Sequence, residues 1–546
     1  MNYIDALNGM TLRQKVCQML LPAFRYWVPG APDSIPVQTM ARMLGERQFG
    51  GIIVFDGNIV DPKQISGFLR MVGAAASASD SCVPYFFGID QEGGRVSRLV
   101  GGTRLAGNMA LGAAGDDGLA REVAEVIGSE LSEVGFDLDF APAMDVNDNP
   151  ANPAIGVRSF SDDPALVSRL GCSFMKGLQA HGVMAVAKHF PGHGNTVVDS
   201  HIGLPVVDKS LDELEATELV PFRAATDVAD MVMTAHIQFP QVEKETYVSR
   251  ETGEKVFIPA TFSSTMITGI LREGMGYDGV VITDDMCMGA IARHFEPLDA
   301  AALAINAGAD IILMPVDLSE PEGFEAIDRY VDGIVDMVEK GDIPLSRIDG
   351  SVGRILSLKG KNRNAPQQSG FFDWRSHLPF RFRSAFKAVT LLENRSGLLP
   401  LSGTERILVV CPSVFSRDAV EEAMGIMVRS RIIPEKNNIE VRLEQGQSVL
   451  PDGYDVCIIV SEGKCNVRIP GDSGTKTVFV SAALPYDTAC ATGCYAVLAC
   501  YGYEGGPNLA ACILSVFGTF MPKGRLPVDI PGPDGKVVWK RGFRLD

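Results

Sequence analysis

The chain has no run of about 18 apolar residues, so no membrane-spanning helix is expected. Its first twenty residues, MNYIDALNGMTLRQKVCQML, lack a basic stretch leading into an apolar core and do not read as a signal peptide. Positive charge is in deficit: 49 Lys and Arg stand against 67 Asp and Glu, a net charge of −18. Such a surface repels a phosphate backbone, which argues against nucleic-acid binding as the main role. The eleven cysteines are scattered and odd in number. Cys490 and Cys494 lie close together but have no second pair at zinc spacing, so no structural metal is expected. Cys172, Cys411, Cys457 and Cys500 sit inside apolar runs and read as reduced thiols. These features together point to a cytoplasmic protein. Phosphate-loop and dinucleotide fingerprints are missing as well. Gly471–Thr477 lacks GxxxxGK[ST] spacing, and Gly502–Gly506 is too short for GxGxxG.

What remains is an ordinary globular composition: 546 residues, 46% hydrophobic and 21% charged. That length calls for two or three domains. Short apolar runs alternate with helical patterns through residue 340. The runs are Gln18–Leu21, Gly51–Phe55, Tyr85–Asp90, Phe136–Pro142, Val183–Phe190, Met231–Ala235, Gly279–Asp285 and Ile311–Pro315. Helical periodicity covers Asp116–Val134, Ala165–His181 and Leu211–Ala225, the second opened by Pro164 with Asp162 and Asp163 as candidate caps. Continuous rather than alternating apolar strands suit a parallel sheet covered on both faces. Eight βα units predict a (β/α)8 TIM-like barrel, with a doubly wound open sheet as the other solution.

The barrel is expected over 1–355. The polar GKNRNAPQQSG lies in an expected linker, 356–384. A smaller α/β sandwich domain follows over 385–546. Its expected strands are Arg406–Val410, Asp455–Val460, Thr477–Ser481 and Tyr495–Tyr501, with helices over Arg417–Val428 and Leu509–Phe517.

Four apolar strands end in charge: Asp90, Lys188-His189, His236 and Asp284-Asp285. Desolvating an unpaired charge costs several kcal/mol, so packing does not account for them. In a (β/α)8 barrel those ends face one another around the active site. The segment KHFPGHGNTVVDSH, Lys188–His201, concentrates one Lys, three His and one Asp in a chain with seven His. One reading is a metal site built from His189, His193, Asp199 and His201, although HxH and HExxH spacings are absent. The other is an acid/base dyad. Residues two apart on an extended loop point the same way, so Asp199 would orient the His201 imidazole and favour its protonated form. The plain alternative is a loop held by its own polar side chains, which applies most to His193.

These motifs resemble the β-N-acetylhexosaminidase branch of glycoside hydrolase family 3. The resemblance rests on Lys188–His201 with Gly203-Leu204-Pro205, on Gly88–Val96 (GIDQEGGRV), on Arg158-Ser159-Phe160 and on Val281–Met286 (VITDDM). Past the linker, Ala388–Leu401 and Lys523–Gly532 resemble the second domain of two-domain members. One departure is Ser161, where many members carry Gly.

The resemblance implies a retaining exo-acting β-N-acetylglucosaminidase that needs neither metal nor organic cofactor and whose partner is a small carbohydrate. Asp284 matches the nucleophile, with Asp285 its rival because strand parity leaves the inward face open. His201 matches the acid/base, with Asp199 as its orienter. Asp90, Arg98, Arg158, Lys188 and His189 match positions that hold sugar hydroxyls, for which Asp and Arg offer charge-assisted hydrogen bonds. Arg158 has a structural alternative in a salt bridge to Asp145, and His236 has one behind the site. Arg95 reads as a salt-bridge residue. A neutral imidazole base would not repel an anionic acceptor, so a phosphorylase is an alternative. So are a family 3 β-glucosidase, a metal-dependent barrel hydrolase and a non-catalytic sugar-binding protein. Cell-wall muropeptides, chitin oligomers and glycan-derived sugars all fit as sources of the aglycone, and the oligomeric state stays open.

Overall fold

The computed structural model describes residues 3–78, 83–361, 374–433, 438–444, 453–463 and 475–546. Eight parallel strands form the first sheet: β1 (Leu20–Ala23), β2 (Gly51–Val54), β3 (Phe86–Ile89), β4 (Leu138–Asp139), β5 (Met184–Phe190), β6 (Met231–Thr234), β7 (Val280–Ile282) and β8 (Ile312–Asp317). Their order is β7-β6-β5-β4-β3-β2-β1-β8. A parallel bridge between Ile282 and Ile311 joins the two ends, backed by Ile311 N–H to Val281 O at 3.1 Å and Thr283 N–H to Ile311 O at 3.0 Å. The sheet is thus a barrel, not a doubly wound open sheet.

Each strand overlaps the apolar run that predicted it. The first starts two residues late, because Leu12–Gln18 is a helix with a Thr11–Gln14 capping box. The helix Asp117–Val134 is capped by Asp116, and Pro164–Gln179 by Asp163. Asp162, the other candidate cap, instead accepts from Arg541 at 2.6 Å. The single helix expected over Leu211–Ala225 is two, Leu211–Ala216 and Leu219–Ala225. Pro221 has no N–H for the carbonyl of Thr217 and its ring crowds that carbonyl, so the ladder breaks there.

The second sheet comprises β9 (Thr390–Asn394), β10 (Ile407–Cys411), β11 (Ile439–Leu443), β12 (Val456–Ser461), β13 (Lys476–Ser481) and β14 (Ala496–Ala499). The order is β9-β14-β13-β12-β10-β11, with only β9 antiparallel to its neighbour. The two strands missing from the sequence reading, β9 and β11, are the edges. Glu440 and Arg442 punctuate β11, as charge does on exposed edges, and mask its strand pattern. Helices Val414–Arg429 and Asn508–Val516 match expectation to within a few residues. Leu345–Lys361 and Leu378–Ala388 are helices, so the segment expected as linker is helical at both ends. Ile348, Val352, Ile355 and Leu356 bury one stripe of the first of these. Residues 362–373, with most of GKNRNAPQQSG, lie outside the described residues.

One apolar cluster joins the two domains. Ala106, Met109, Ala110 and Ala113 pack with Leu408, Val410, Ile459, Phe479 and Val497 of the second sheet. Ser161, the departure from Gly, adds a polar tie: its hydroxyl donates to the Pro527 carbonyl and accepts from Asp163 N–H. The nine described cysteines are free thiols. Cys411, Cys457 and Cys500 are buried as expected, and Cys172 is half-buried. Among the described residues no helix is long and apolar enough to cross a membrane.

Candidate active site

The carboxyl ends of the barrel strands enclose a cavity of about 140 Å³. Asp284, His201, Asp90, Arg98, Arg158, Lys188 and His189 all line it. Asp199, the remaining residue singled out from the sequence, stands behind His201. Its Oδ1 lies 2.8 Å from His201 Nδ1 and accepts the His201 N–H at 2.9 Å. The i, i+2 spacing therefore produces a dyad. The His201 ring is 59% exposed at the mouth, free to meet a ligand.

The side chains of the three histidines in Lys188–His201 take different partners. His189 Nδ1 lies 2.8 Å from Asp145 Oδ2. His193 is buried between the Ser200 hydroxyl at 3.0 Å and the Thr196 hydroxyl at 2.9 Å, so it pins the loop rather than facing the cavity. His201 pairs with Asp199. Burial, reinforced by the neighbouring His189, pushes the His193 imidazole down to about 4, which keeps it neutral.

The floor is a charged lattice that the sequence did not disclose. Lys188, 2% exposed, bridges Asp90 Oδ1 and Glu92 Oε1, each at 2.8 Å. Arg158 grips Glu92 with two bonds of 3.0 and 2.7 Å. Glu92, not Asp145, is thus the partner of Arg158, while Asp145 serves His189 and accepts from His193 N–H at 2.8 Å. Burial would raise Glu92, but the Arg158 and Lys188 charges outweigh it and hold this carboxyl well below the usual range. Beneath them burial drives Asp139 strongly upward, which favours its neutral form. A readable signal for Glu92 existed: it stands two residues after Asp90, in the short hairpin that follows.

At the end of β7 the two adjacent aspartates separate. Burial opposes ionisation of Asp284, but the imidazoles of His189 and His236 and the Asp285 N–H at 2.8 Å bring it below its ordinary value. Burial, outweighing the Cys287 N–H and reinforced by Asp284, pushes Asp285 up to about 7. Asp285 faces Arg25 at 4.0 Å, whose guanidinium lies over the Phe55 ring. Arg25 and Phe55 also line the cavity and were missed, since nothing in the first two strand ends announced charge. His236 stands behind the wall, with Nε2 donating to the Asp285 carbonyl at 3.0 Å. Arg98 contributes a buried Nε that has no hydrogen-bond partner among the described residues. Arg95 is outside this cavity, 3.6 Å from Glu504 of the second domain.

Residues 11–358 match the glycosyl hydrolase family 3 N-terminal domain. Beta-hexosaminidase A of Pseudoalteromonas piscicida is 31% identical over 95% of this chain and 97% of its own length. Beta-hexosaminidase LpqI of Mycobacterium tuberculosis is 33% identical over 64% of this chain and 83% of its own. Among solved structures, a family 3 β-N-acetylglucosaminidase from Paenibacillus sp. superposes with a TM-score of 0.78 at 32% identity, covering 95% of this chain and 99% of that one. With the barrel, the cavity at its carboxyl end and these likenesses in agreement, the chain belongs to glycosyl hydrolase family 3 and is a glycoside hydrolase.

Proposed function

We propose that the chain is a retaining exo-β-N-acetylglucosaminidase, with Asp284 as nucleophile and Asp199–His201 as its acid/base dyad. The observation that carries this reading is the meeting of Asp284 and a carboxylate-backed His201 at one small cavity. The choice of Asp284 over Asp285 is supported electrostatically. A nucleophile must be ionised, and the surroundings drive the two carboxyls in opposite directions. Asp284 Oδ1 is taken by the Asp285 N–H, which leaves Oδ2 for attack.

In the first step Asp284 Oδ2 bonds to the anomeric carbon as the bond to the leaving oxygen breaks. The imidazolium of His201 gives that oxygen its proton and becomes neutral. In the second step the neutral imidazole takes a proton from water, the water oxygen bonds to the anomeric carbon, and the ester to Asp284 breaks. Asp199 holds the ring in the tautomer that points Nε2 at the substrate. Asp90, Lys188, Arg158, His189 and Arg98 supply donors and acceptors for the ring hydroxyls.

The N-acetylglucosaminide specificity rests on the relatives named β-hexosaminidase and β-N-acetylglucosaminidase. A panel of p-nitrophenyl glycosides tests it, with the N-acetyl-β-glucosaminide expected to be cleaved at least 100-fold faster than the β-glucoside. Equal rates would overturn the assignment. Excess inorganic phosphate is expected to leave free sugar as the product, and accumulation of sugar 1-phosphate would make the enzyme a phosphorylase instead.

A further inference from the structure

A second cavity, about 340 Å³, lies between the two domains and shares no lining residue with the first. We propose that it binds a neutral saccharide ring, as a site separate from the one that holds Asp284. Its volume falls in the range of small-molecule pockets, roughly 300–1,000 Å³. Ile155 and Val157 of the barrel and Leu484 and Tyr503 of the second domain provide apolar faces for the C–H face of a pyranose.

Its polar groups select the occupant. Asn508 is 2% exposed and donates its Nδ2 to the Cys500 carbonyl at 2.9 Å, which fixes the amide. Its Oδ1 is buried without a hydrogen-bond partner among the described residues. A buried acceptor left unmet is costly, so the site calls for a donor. One water, occupying about 30 Å³, would meet the oxygen but leave most of the cavity empty. Among the described lining residues, Glu462 and Glu504 add acceptors, and the one guanidinium, Arg95, is engaged by Glu504 at 3.6 Å. This excess of acceptors and of negative charge among the described lining residues favours hydroxyl donors and opposes phosphate or carboxylate groups.

The two cavities are neighbours through the backbone. Arg95 and Val157 line the second, while the next residues, Val96 and Arg158, line the first. An occupant would therefore bear on the segments that carry Arg158 and is expected to change KM more than kcat.

Calorimetric titration of the full chain with N-acetylglucosamine, glucose and glucose 6-phosphate tests the site without turnover, so its outcome is independent of the specificity proposed above. Titration is done on the wild type and on Asp90→Ala or Arg98→Ala, which weaken the first cavity only. The expected result is neutral-sugar binding that persists in those variants and drops at least tenfold on adding Asn508→Leu or Leu484→Trp. The latter two alone would keep p-nitrophenyl glycoside hydrolysis within about twofold at saturating substrate, which shows that they fold. Loss of all sugar binding in Asp90→Ala and Arg98→Ala overturns the proposal. So does unchanged binding in Asn508→Leu and Leu484→Trp, and so does glucose 6-phosphate binding as tightly as glucose.

Discussion

A histidine acid differs from a carboxylic acid in what its loss does to substrates with different leaving groups. His201→Ala is expected to slow natural disaccharides by 10²–10⁴-fold and aryl glycosides with acidic phenols by less than tenfold. Steady-state kcat/KM on both classes checks this, and equal losses would remove the acid role. Asp284→Asn is expected to abolish turnover on every substrate without lowering the melting temperature, whereas Asp285→Asn retains activity. Glu92→Gln removes the negative partner that buried Lys188 and half-buried Arg158 share. It is expected to destabilise the fold by about 3–5 kcal/mol in urea unfolding, the range for breaking a buried ion pair.

At the scale of elements, the loop between β5 and β6 depends on a neutral His193. Because the fold lowers its pKa from 6.5 to about 4, this group adds stability that is complete above pH 6.5 and is lost as pH falls toward 4. Each pKa unit is 1.36 kcal/mol, so the loss amounts to about 3 kcal/mol. His193→Gln is expected to flatten the fall in melting temperature across that window, and an unchanged slope would assign the acid sensitivity to other groups.

The same scale shows where pattern reading succeeded. Buried parallel strands must be continuously apolar, so all eight barrel strands were legible, as was the dyad, whose two members share one loop. The pairing of Glu92 with Arg158 and Lys188 spans 66 and 96 positions. No local pattern encodes such a contact. The edge strands β9 and β11 escaped because one face of each edge answers to solvent rather than to a core.

For the whole molecule, the second domain lends the barrel a covered face, and among the described residues the Asp284 cavity is lined by barrel residues. Removing residues after 361 would expose Met109, Ala110 and Ala113 and the ties of Asp162 and Ser161 to the second domain. The truncated barrel is expected to bind a hydrophobic dye and to sediment as aggregates. A monodisperse, active barrel would show that the joint is dispensable.

Composition and periodicity by themselves limited the fold to a parallel α/β barrel or a doubly wound sheet, and the resemblance of local motifs to glycoside hydrolase family 3 supplied the family and the residues expected at the site. Each is a local property, readable within one strand or one loop. The tertiary structure alone decided which carboxylate is depressed, which histidine is buried, what Arg158 grips and that a second cavity lies at the domain joint. Those outcomes depend on distances between remote segments, and electrostatic energy follows distance and burial rather than order along the chain.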